Sequence, residues 1–250
     1  MHVAALWRYP VKSLLGERLE QLEVDERGAV GDRWYAVTDA NGKFGSGKTT
    51  RRFRLMRGLF EYGARTEGGR VVVRLPDGRE LAVGDPALDA AFSERYGEPL
   101  RILPEDGVSH FDFGPIHLLT TASLRWLGTR LGGDATDPRR FRPNVLLDVE
   151  GEELVEDGWL GETIELGDVV VRVVARAPRC VMPTFPQSEL GPRPDVLRRI
   201  VRDNVQDFGV YAEVVRPGTI SLSTPSTGFS TGNNLLTNAS RPTSKRASSA

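Results

Sequence analysis

The chain has 250 residues, of which 39% are hydrophobic and 27% are charged, and its formal net charge at pH 7 is −1. This composition is typical of a globular protein with a core of its own, and the balanced charge excludes a strong field that would attract nucleic acid or an acidic membrane. A single cysteine, Cys180, excludes an internal disulfide and any zinc site built from several cysteines.

The first residues, MHVAALWRYPVKSLL, lack the uninterrupted apolar run of a signal peptide. No segment of the chain reaches the roughly 18 to 20 apolar residues that a membrane span requires. We therefore expect a cytoplasmic protein with no nucleic-acid or membrane partner.

Most of the predicted elements are short β-strands, rich in β-branched residues and bounded by turn residues. In chain order they cover residues 34–39, 70–75, 79–83, 144–148, 162–166 and 169–175. Gly78 and Gly167 lie in sequences typical of hairpin turns, which require a positive φ angle. The pattern predicts mainly antiparallel β structure.

Three segments have helical periodicity. Asp85 and Pro86 provide a cap and a first turn for a helix that ends at Gly97, and further helices are predicted over 121–133 and 194–204. The fold class is therefore mainly β with a few helices, a mixed α/β chain.

The composition also divides the chain. Pro and Gly cluster near residues 97–107, between two strand-rich halves, so domains are predicted over 1–97 and 98–220. Residues 221–250 are rich in Ser, Thr and Asn and have no acidic residue, and we expect a disordered tail because such a segment cannot bury enough apolar surface to offset its ordering entropy.

Residues 42–50, GKFGSGKTT, match the G-x-x-x-x-G-K-[ST] pattern of a phosphate-binding loop. Such a loop works between a buried strand and the start of a helix, in a parallel sheet with crossover helices. Here the flanking sequence indicates a hairpin-type turn and an arginine-rich segment. We therefore do not expect a nucleotide site.

The segment DPRRFRPN, residues 137–144, contains three arginines around one phenylalanine. Pro143 is expected to hold Arg142 extended, which would place Arg140 and Arg142 on one side as a fork for phosphate or carboxylate. The alternative is a solvated loop closed by local ion pairs.

Cys180 follows a predicted strand in the segment ARAPRCVMPT. A lone cysteine is often a small buried hydrophobe. The nearby Arg176 and Arg179 would favour the thiolate, which attacks electrophiles and binds soft metals. Both interpretations stay open at this stage.

Other candidate groups have simpler interpretations. His117, in the apolar stretch GPIHLLTT, is interpreted as a core or cap residue. The acidic segments 19–28 and 149–157 match no metal-binding loop, and we predict solvated strand edges and turns there.

Seven motifs occur in an order that identifies a family. They are LWRYPVKS (6–13), GDRWYAVTD (31–39), TTASLRWL (120–127), RFRPNVLLD (140–148), EDGWLGETIELGDVVVRVV (156–174), PRC (178–180) and FGVYAEVVRPGTI (208–220). Together they resemble the MOSC family, the domain found at the C-terminus of molybdenum cofactor sulfurases and in the mitochondrial amidoxime-reducing proteins. The resemblance implies an N-terminal, MOSC-associated β-barrel-like domain followed by a MOSC β-barrel domain.

The resemblance also implies a pterin-based molybdenum cofactor, with the Cys180 thiolate as the protein's ligand to molybdenum. Positions of the family that bind the pterin and phosphate portions match Lys12, Ser13, Arg33, Arg142 and Asn144. Arg and Lys suit such a site because a phosphate accepts charge-assisted hydrogen bonds.

The same resemblance bears on the rim of the site. The loop after 34–39 returns toward the second domain in such proteins, so we expect Lys48, Thr49 and Arg52 to border the active-site mouth. Pro178 departs from the amidoxime-reducing relatives, which have a serine two residues before the cysteine.

The function implied is that of an oxidoreductase that reduces N-hydroxylated or N-oxide-type small molecules. The chain has no flavin, haem or iron-sulfur motif, so a separate electron-donor protein is expected. Two alternatives stay open: sulfur transfer through a persulfide on Cys180, and a non-enzymatic carrier of the molybdenum cofactor.

Overall fold

The computed structural model describes residues 1–230, and the remainder of the predicted tail lies outside the described residues. The helices are α1 (Pro86–Tyr96), α2 (Thr121–Leu131) and α3 (Pro194–Asn204). The strands are β1 (His2–Arg8), β2 (Glu17–Leu19), β3 (Gln21–Asp25), β4 (Gly28–Ala29), β5 (Tyr35–Asp39), β6 (Phe44–Ser46), β7 (Phe53–Leu55), β8 (Gly63–Glu67), β9 (Arg70–Arg74), β10 (Glu80–Ala82), β11 (Leu100–Pro104), β12 (Ile116–Thr120), β13 (Val145–Asp148), β14 (Thr163–Leu166), β15 (Val169–Pro178), β16 (Asp207–Arg216), β17 (Gly218–Ser221) and β18 (Ser226–Ser230).

The described strands form four sheets. The largest has eight strands in the order β18-β14-β15-β16-β12-β13-β1-β2, and smaller sheets have the orders β11-β5-β6-β7, β10-β9-β8 and β17-β3-β4. Neighbouring strands are antiparallel except β12 with β13 and β6 with β7. The predicted mainly β fold class is confirmed.

The helix ends follow the sequence signals. The Asp85 side chain accepts a hydrogen bond from Ala87 N at 2.8 Å, and Gly97 ends α1 with a φ of 72°. At α2 the cap is Thr120, whose Oγ1 accepts from Ser123 N at 3.0 Å. All three predicted helices are present: a side-chain cap marks the start of α1 and α2, whereas α3 begins at Pro194 without a side-chain cap.

Strand alternation builds the main core. On β15, Val169, Val171 and Val173 are buried while Arg172 is exposed. These valines pack with apolar residues from β1, β3, β12 and β13 in one cluster. A second cluster, around Phe92 of α1, forms the core that packs between α1 and the sheets of residues 35–104.

Two strands cross the predicted boundary at residue 97. β1 lies before it but pairs with β13 in the eight-stranded sheet. β11 lies after it but pairs with β5 over Leu100–Pro104. The strand pairing therefore joins the two halves, and the segment that connects β11 to β12, here called the linker, is residues 105–115.

The first part of the predicted tail includes a strand. β18 pairs antiparallel with β14, so residues 226–230 are part of the large sheet. Backbone hydrogen bonding to an open sheet edge needs no apolar side chains, which is why the composition did not indicate it.

Within residues 1–230, no helix is both long enough and apolar enough to span a membrane.

Candidate functional site

A small cavity of about 60 Å³ lies where the chain segments after β1, before β5, before β13 and after β15 meet. Its walls come from both halves of the chain. The lining residues are Lys12, Ser13, Arg33, Ser46, Lys48, Asp112, His117, Phe141, Arg142, Pro178, Arg179, Cys180, Met182 and Tyr211.

Most of the residues expected to bind a cofactor meet here. The structure brings together Lys12, Ser13, Arg33, Arg142 and Cys180 along this one cavity. The sixth, Asn144, is fully buried outside the lining, where its Oδ1 accepts from His117 N at 3.1 Å and its Nδ2 donates to Trp7 O at 3.4 Å. Asn144 thus ties β1 to β12 behind the cavity.

Three of these residues have left-handed backbone conformations. The φ angles are 66° for Ser13, 54° for Arg33 and 57° for Arg142. A non-glycine residue in this region costs roughly 1–2 kcal/mol, so it persists only where surrounding contacts enforce it. Such strain clusters at functional sites, and here it coincides with the cavity.

Those contacts are hydrogen bonds to neighbouring segments. Ser13 Oγ donates to Gly45 O at 3.0 Å, and Arg33 N donates to Tyr9 O at 2.7 Å. Tyr9 N in turn donates to Asp32 Oδ1 at 2.8 Å. Asp32 is fully buried and also forms an ion pair with Arg33, which fixes the guanidinium at the wall.

Lys12 is 1% exposed, and its Nζ lies 3.1 Å from Asp112 Oδ1 and 4.6 Å from the centre of the Phe53 ring. Burial lowers the pKa of Lys12 to about 8, against the opposing effect of Asp112. Lys48 Nζ lies 3.6 Å from the same carboxylate oxygen. Asp112 therefore bridges two ammonium groups.

Arg142 is 8% exposed and stacks on Tyr9, with its guanidinium carbon 4.1 Å from the ring centre. Its Nη1 donates to Leu14 O at 2.6 Å, while its Nη2 is buried with no hydrogen-bond partner among the described residues. Burial lowers the pKa of Arg142 to about 10. This guanidinium is charged at neutral pH and has a donor to spare.

Arg179 precedes Cys180 at the end of β15. Its Nη2 donates to Phe141 O at 2.6 Å and its Nη1 lies 3.4 Å from His117 Nε2. Burial and the charge of Arg179 hold the pKa of His117 well below its usual range, so His117 is neutral. Arg179 Nε is buried with no partner in the described part of the chain.

The cavity favours an anion. Among its described lining residues five are cationic, Lys12, Arg33, Lys48, Arg142 and Arg179, and one is a carboxylate, Asp112. Two buried guanidinium nitrogens lack acceptors, and a buried donor without an acceptor costs about 1–3 kcal/mol. An oxyanion beside the half-buried Cys180 would satisfy them.

The predicted fork of Arg140 and Arg142 is wrong. Asp137 caps a short 3-10 helix, Pro138–Arg140, and Arg142 is left-handed, so the segment is not extended. Arg140 is fully buried and bound to other partners, outside the cavity lining. Arg176 also lies elsewhere, exposed and 4.0 Å from Asp157.

The segment GKFGSGKTT contains β6, and residues 47–52 continue it as turns and bends toward β7. No helix begins there to form a phosphate-binding loop, as expected. Lys48 nevertheless lies in the cavity wall, whereas Arg52 donates to Phe111 O at 3.3 Å on the linker.

Sequence reasoning missed several lining residues. His117, Asp112 and Tyr211 contact the cavity, although His117 was interpreted as a core or cap residue. Glu156, in the segment predicted to be solvated, is fully buried and accepts from Thr120 Oγ1 at 2.8 Å and Ser123 Oγ at 2.7 Å. Strand pairing between distant parts of the chain sets the positions of these residues, and local sequence patterns do not indicate such pairing.

A larger cavity of about 650 Å³ lies on the other side of Arg142, against Tyr9, Arg74 and Arg139. Cys180 does not line it, so the smaller cavity is the better candidate for chemistry. Over residues 1–230 no group of three or more His, Cys, Asp or Glu side chains is placed to hold a metal ion.

The sequence is similar to those of two mitochondrial amidoxime-reducing proteins. Over 132 residues the chain is 32% identical to mitochondrial amidoxime reducing component 2 of Rattus norvegicus, a match that covers 47% of this chain and 38% of the rat protein. It is 24% identical to mitochondrial amidoxime-reducing component 1 of Homo sapiens, over 89% of this chain and 81% of the human protein.

A solved structure, the YUAD protein from Bacillus subtilis, has the same fold with a TM-score of 0.50 at 15% sequence identity, over 90% of this chain and 92% of that one. Two family profiles match the sequence: the MOSC N-terminal beta barrel domain over residues 1–95 and the MOSC domain over residues 106–225. The chain therefore belongs to the MOSC domain family, with a MOSC N-terminal beta barrel domain preceding the MOSC domain.

Proposed function

We propose that the chain binds the molybdenum cofactor with its metal end at the small cavity and with Cys180 as the protein ligand of molybdenum, and that the chain acts as an oxidoreductase. The observation that carries this proposal is the surplus of buried cationic donors, two of them unpartnered, around a half-buried cysteine. A thiolate is a soft donor that suits molybdenum, and the guanidinium groups offset the charge of the cofactor's phosphate and sulfur ligands.

The residues fit the group by chemistry. Arg142 Nη2 and Arg179 Nε are buried donors that need acceptors, and Lys12 and Arg33 supply further charge. The cofactor would supply two-electron redox chemistry at its metal. We infer that Lys12, Ser13, Arg33 and Arg142 hold its pterin and phosphate portions.

The other lining residues orient and shield the site. Neutral His117 and Tyr211 form a wall with ring centres 5.2 Å apart, and Arg179 is held by Phe141 O so that Cys180 is fixed at the end of β15. Pro178, where amidoxime-reducing relatives have serine, offers no hydroxyl to a cofactor or substrate.

For the substrate class we propose N-hydroxylated or N-oxide-type small molecules, supported by the names of the two amidoxime-reducing relatives. The electrons would come from a separate protein in the cytoplasm. Sulfur transfer through Cys180 and cofactor carriage are the alternatives that the experiment must separate.

The test is turnover by the purified full-length chain with an artificial reductant and a hydroxylamine or amidoxime substrate. We expect reduction of the substrate by the wild type and none by Cys180→Ala. A cyanolysable persulfide on Cys180 in a chain that contains no molybdenum would favour sulfur transfer. Cofactor bound at full occupancy without turnover would favour carriage.

A further inference from the structure

The linker, residues 105–115, borders the small cavity. It contributes Asp112 to the lining and places the Phe113 ring on Tyr211, with ring centres 5.6 Å apart at 22°. Phe113 is 63% exposed and is not itself a lining residue. The linker thus meets the cavity lining through one charged and one aromatic contact.

Asp112 is held by charge rather than by burial. Its side chain is 43% exposed, yet Oδ1 lies within 3.6 Å of both Lys12 and Lys48. Desolvation opposes ionisation of Asp112, but the charges of Lys12 and Lys48 outweigh it and lower the pKa of Asp112 to about 2, so the carboxyl group is ionised across the physiological range. In the described part of the cavity wall it is the one carboxylate among five cations.

Both lysines also face one aromatic ring. Their Nζ atoms lie 4.6 Å and 5.0 Å from the centre of Phe53, which fixes them at a common point. A buried ammonium is stable only with a counterion. Asp112 provides that counterion from the segment between β11 and β12.

We propose that Asp112 is an internal occupant of the position that an external oxyanion takes between Lys12 and Lys48, and that the linker opens when such a ligand binds. The ligand class is a phosphate ester or another compact oxyanion, for which the carboxylate stands in. Asp112 thereby determines which anions enter, because a ligand must bind the lysines better than this carboxylate does. The inference extends the proposed function to the control of access at the same site.

The anchors of the linker confine the motion to a few residues. On one side, Glu105 accepts from Arg27 Nη2 at 2.7 Å and from His110 N at 2.8 Å, and Arg52 donates to Phe111 O. On the other side β12 begins at Ile116. Residues 112–115 lie between these anchors, and the contacts of residues 112–114 with the cavity lining are the ion pairs of Asp112, the stacked ring of Phe113 and the close approach of Gly114 to the Tyr211 side chain.

The experiment measures binding of inorganic phosphate by calorimetry, with the full-length chain produced in cells that cannot make molybdopterin. The variant is Asp112→Asn, and the matched control is Asp106→Asn, the same chemical change at an exposed position of the same linker that lies outside the cavity lining. We expect Asp112→Asn to bind phosphate about tenfold more tightly than the wild type. This factor corresponds to a wild-type linker that is closed about nine times as often as it is open, because only the open fraction binds. The control should bind as the wild type does.

Limited digestion with chymotrypsin gives a second readout, because Phe113 must leave the Tyr211 ring to enter the protease. In the wild type, phosphate should speed cleavage after Phe113, and in Asp112→Asn this cleavage should be fast with or without phosphate. Phosphate affinity in Asp112→Asn that equals or falls below that of the wild type would overturn the proposal, since Asp112 would then organise the lysines for the ligand. A rate of cleavage after Phe113 that phosphate does not change in the wild type would also overturn it.

The same chain loaded with cofactor identifies the source of the natural oxyanion. If the cofactor-loaded chain no longer binds free phosphate, the cofactor's own phosphate occupies the position between Lys12 and Lys48. If the loaded chain still binds free phosphate, a separate oxyanion occupies that position. Both outcomes require displacement of Asp112. The two proposals also fail separately. Absence of molybdenum from the wild-type protein would reject the proposed function, while the phosphate measurements would still decide the role of Asp112.

Discussion

Arg140 and Arg142 are two residues apart and both buried, but their surroundings differ. Arg140 forms an ion pair with Asp134 and donates to Gly191 O at 2.8 Å and Asp134 O at 3.0 Å. Arg142 has one backbone acceptor, Leu14 O, and the face of Tyr9. The first guanidinium is satisfied by the fold and the second has a donor left for a ligand.

The surroundings of Arg140 extend this difference. Arg139 pairs with Asp137 and Glu189, and Arg193 pairs with Asp134 and Asp195, so each of these cations has a carboxylate. In the small cavity five cations share one lining carboxylate and the Asp32 behind Arg33. Pairing within the fold, rather than burial or residue type, separates the arginines that the fold satisfies from those that keep an unpartnered donor among the described residues.

The largest effect on stability is expected for Arg140→Ala. Removing this side chain leaves the carbonyls of Gly191 and Asp134 without their donor and opens a cavity, so the free energy of unfolding should fall by about 3 kcal/mol. Urea denaturation measures it. Arg139→Ala, whose side chain is 41% exposed, should cost under about 1 kcal/mol. Equal losses for the two variants would refute the assignment of Arg140 to the fold.

Arg142→Ala should have the opposite profile. Because the guanidinium is desolvated and only partly bonded, its removal should change the free energy of unfolding by about 1 kcal/mol or less, while phosphate affinity falls about tenfold or more. Arg142→Gly should be more stable than Arg142→Ala by about 1 kcal/mol, since glycine tolerates the φ of 57°. Phosphate binding unaffected by either substitution would show that Arg142 is structural.

The affinity for anions should depend on pH through Lys12. Its pKa of about 8 lies below the ordinary 10.5, so sulfate binding, with a constant ligand charge, should weaken as pH rises through about 8. Between pH 8 and 10.5 the unfolded chain holds the Lys12 proton and the folded chain does not. The free energy of unfolding should therefore rise with pH over this range. Calorimetry from pH 6 to 9.5 checks the profile. Lys12→Gln should bind sulfate weakly with a flat profile, and a wild-type profile that is equally flat would contradict this role.

The smallest effect concerns a buried carboxyl group that lacks any cationic partner among the described residues. Burial raises the pKa of Glu156, and its Oε1 has no hydrogen-bond partner within residues 1–230. Because the folded state holds the Glu156 proton more tightly than the unfolded state, this group contributes no penalty below its ordinary pKa of 4.5. The free energy of unfolding then falls as pH rises through the raised pKa of the folded state. Glu156→Gln should therefore gain about 1 kcal/mol at pH 7 and nothing below pH 4.5.

Thermal denaturation across this pH range measures the gain, with the exposed Glu153→Gln as the control. A loss of stability in Glu156→Gln at pH 7 would show that the ionised carboxylate is needed by Thr120 and Ser123.

The elements were predictable where local signals agreed. Asp85, Pro86 and Gly97 define α1 by cap chemistry, and the valines of β15 define a strand by alternation. The pairing of β1 with β13 was not predictable, because it depends on contacts between residues more than 130 positions apart. For the same reason the domain boundary drawn from Pro and Gly content separates β11 from its partner β5.

The site was predictable mainly through the family resemblance. The fork expected from the spacing of Arg140 and Arg142 is absent, because the left-handed backbone at Arg142 breaks the alternation of an extended strand. Asp112 and Tyr211 carry no local signal, since their role arises from the path of the linker and from the β16 register. Which buried cations lack a partner can be read only from the three-dimensional structure, and these unpartnered cations distinguish the small cavity.

Molybdenum content per chain, measured on purified wild type and on Cys180→Ala, is the decisive measurement for the proposed cofactor and its ligand. We expect stoichiometric molybdenum in the wild type and its loss in Cys180→Ala, with both proteins folded to the same thermal stability within a few degrees. Wild-type protein without molybdenum, when produced in cells that make the cofactor, would contradict it. Undiminished molybdenum in Cys180→Ala would contradict the assignment of Cys180 as the ligand.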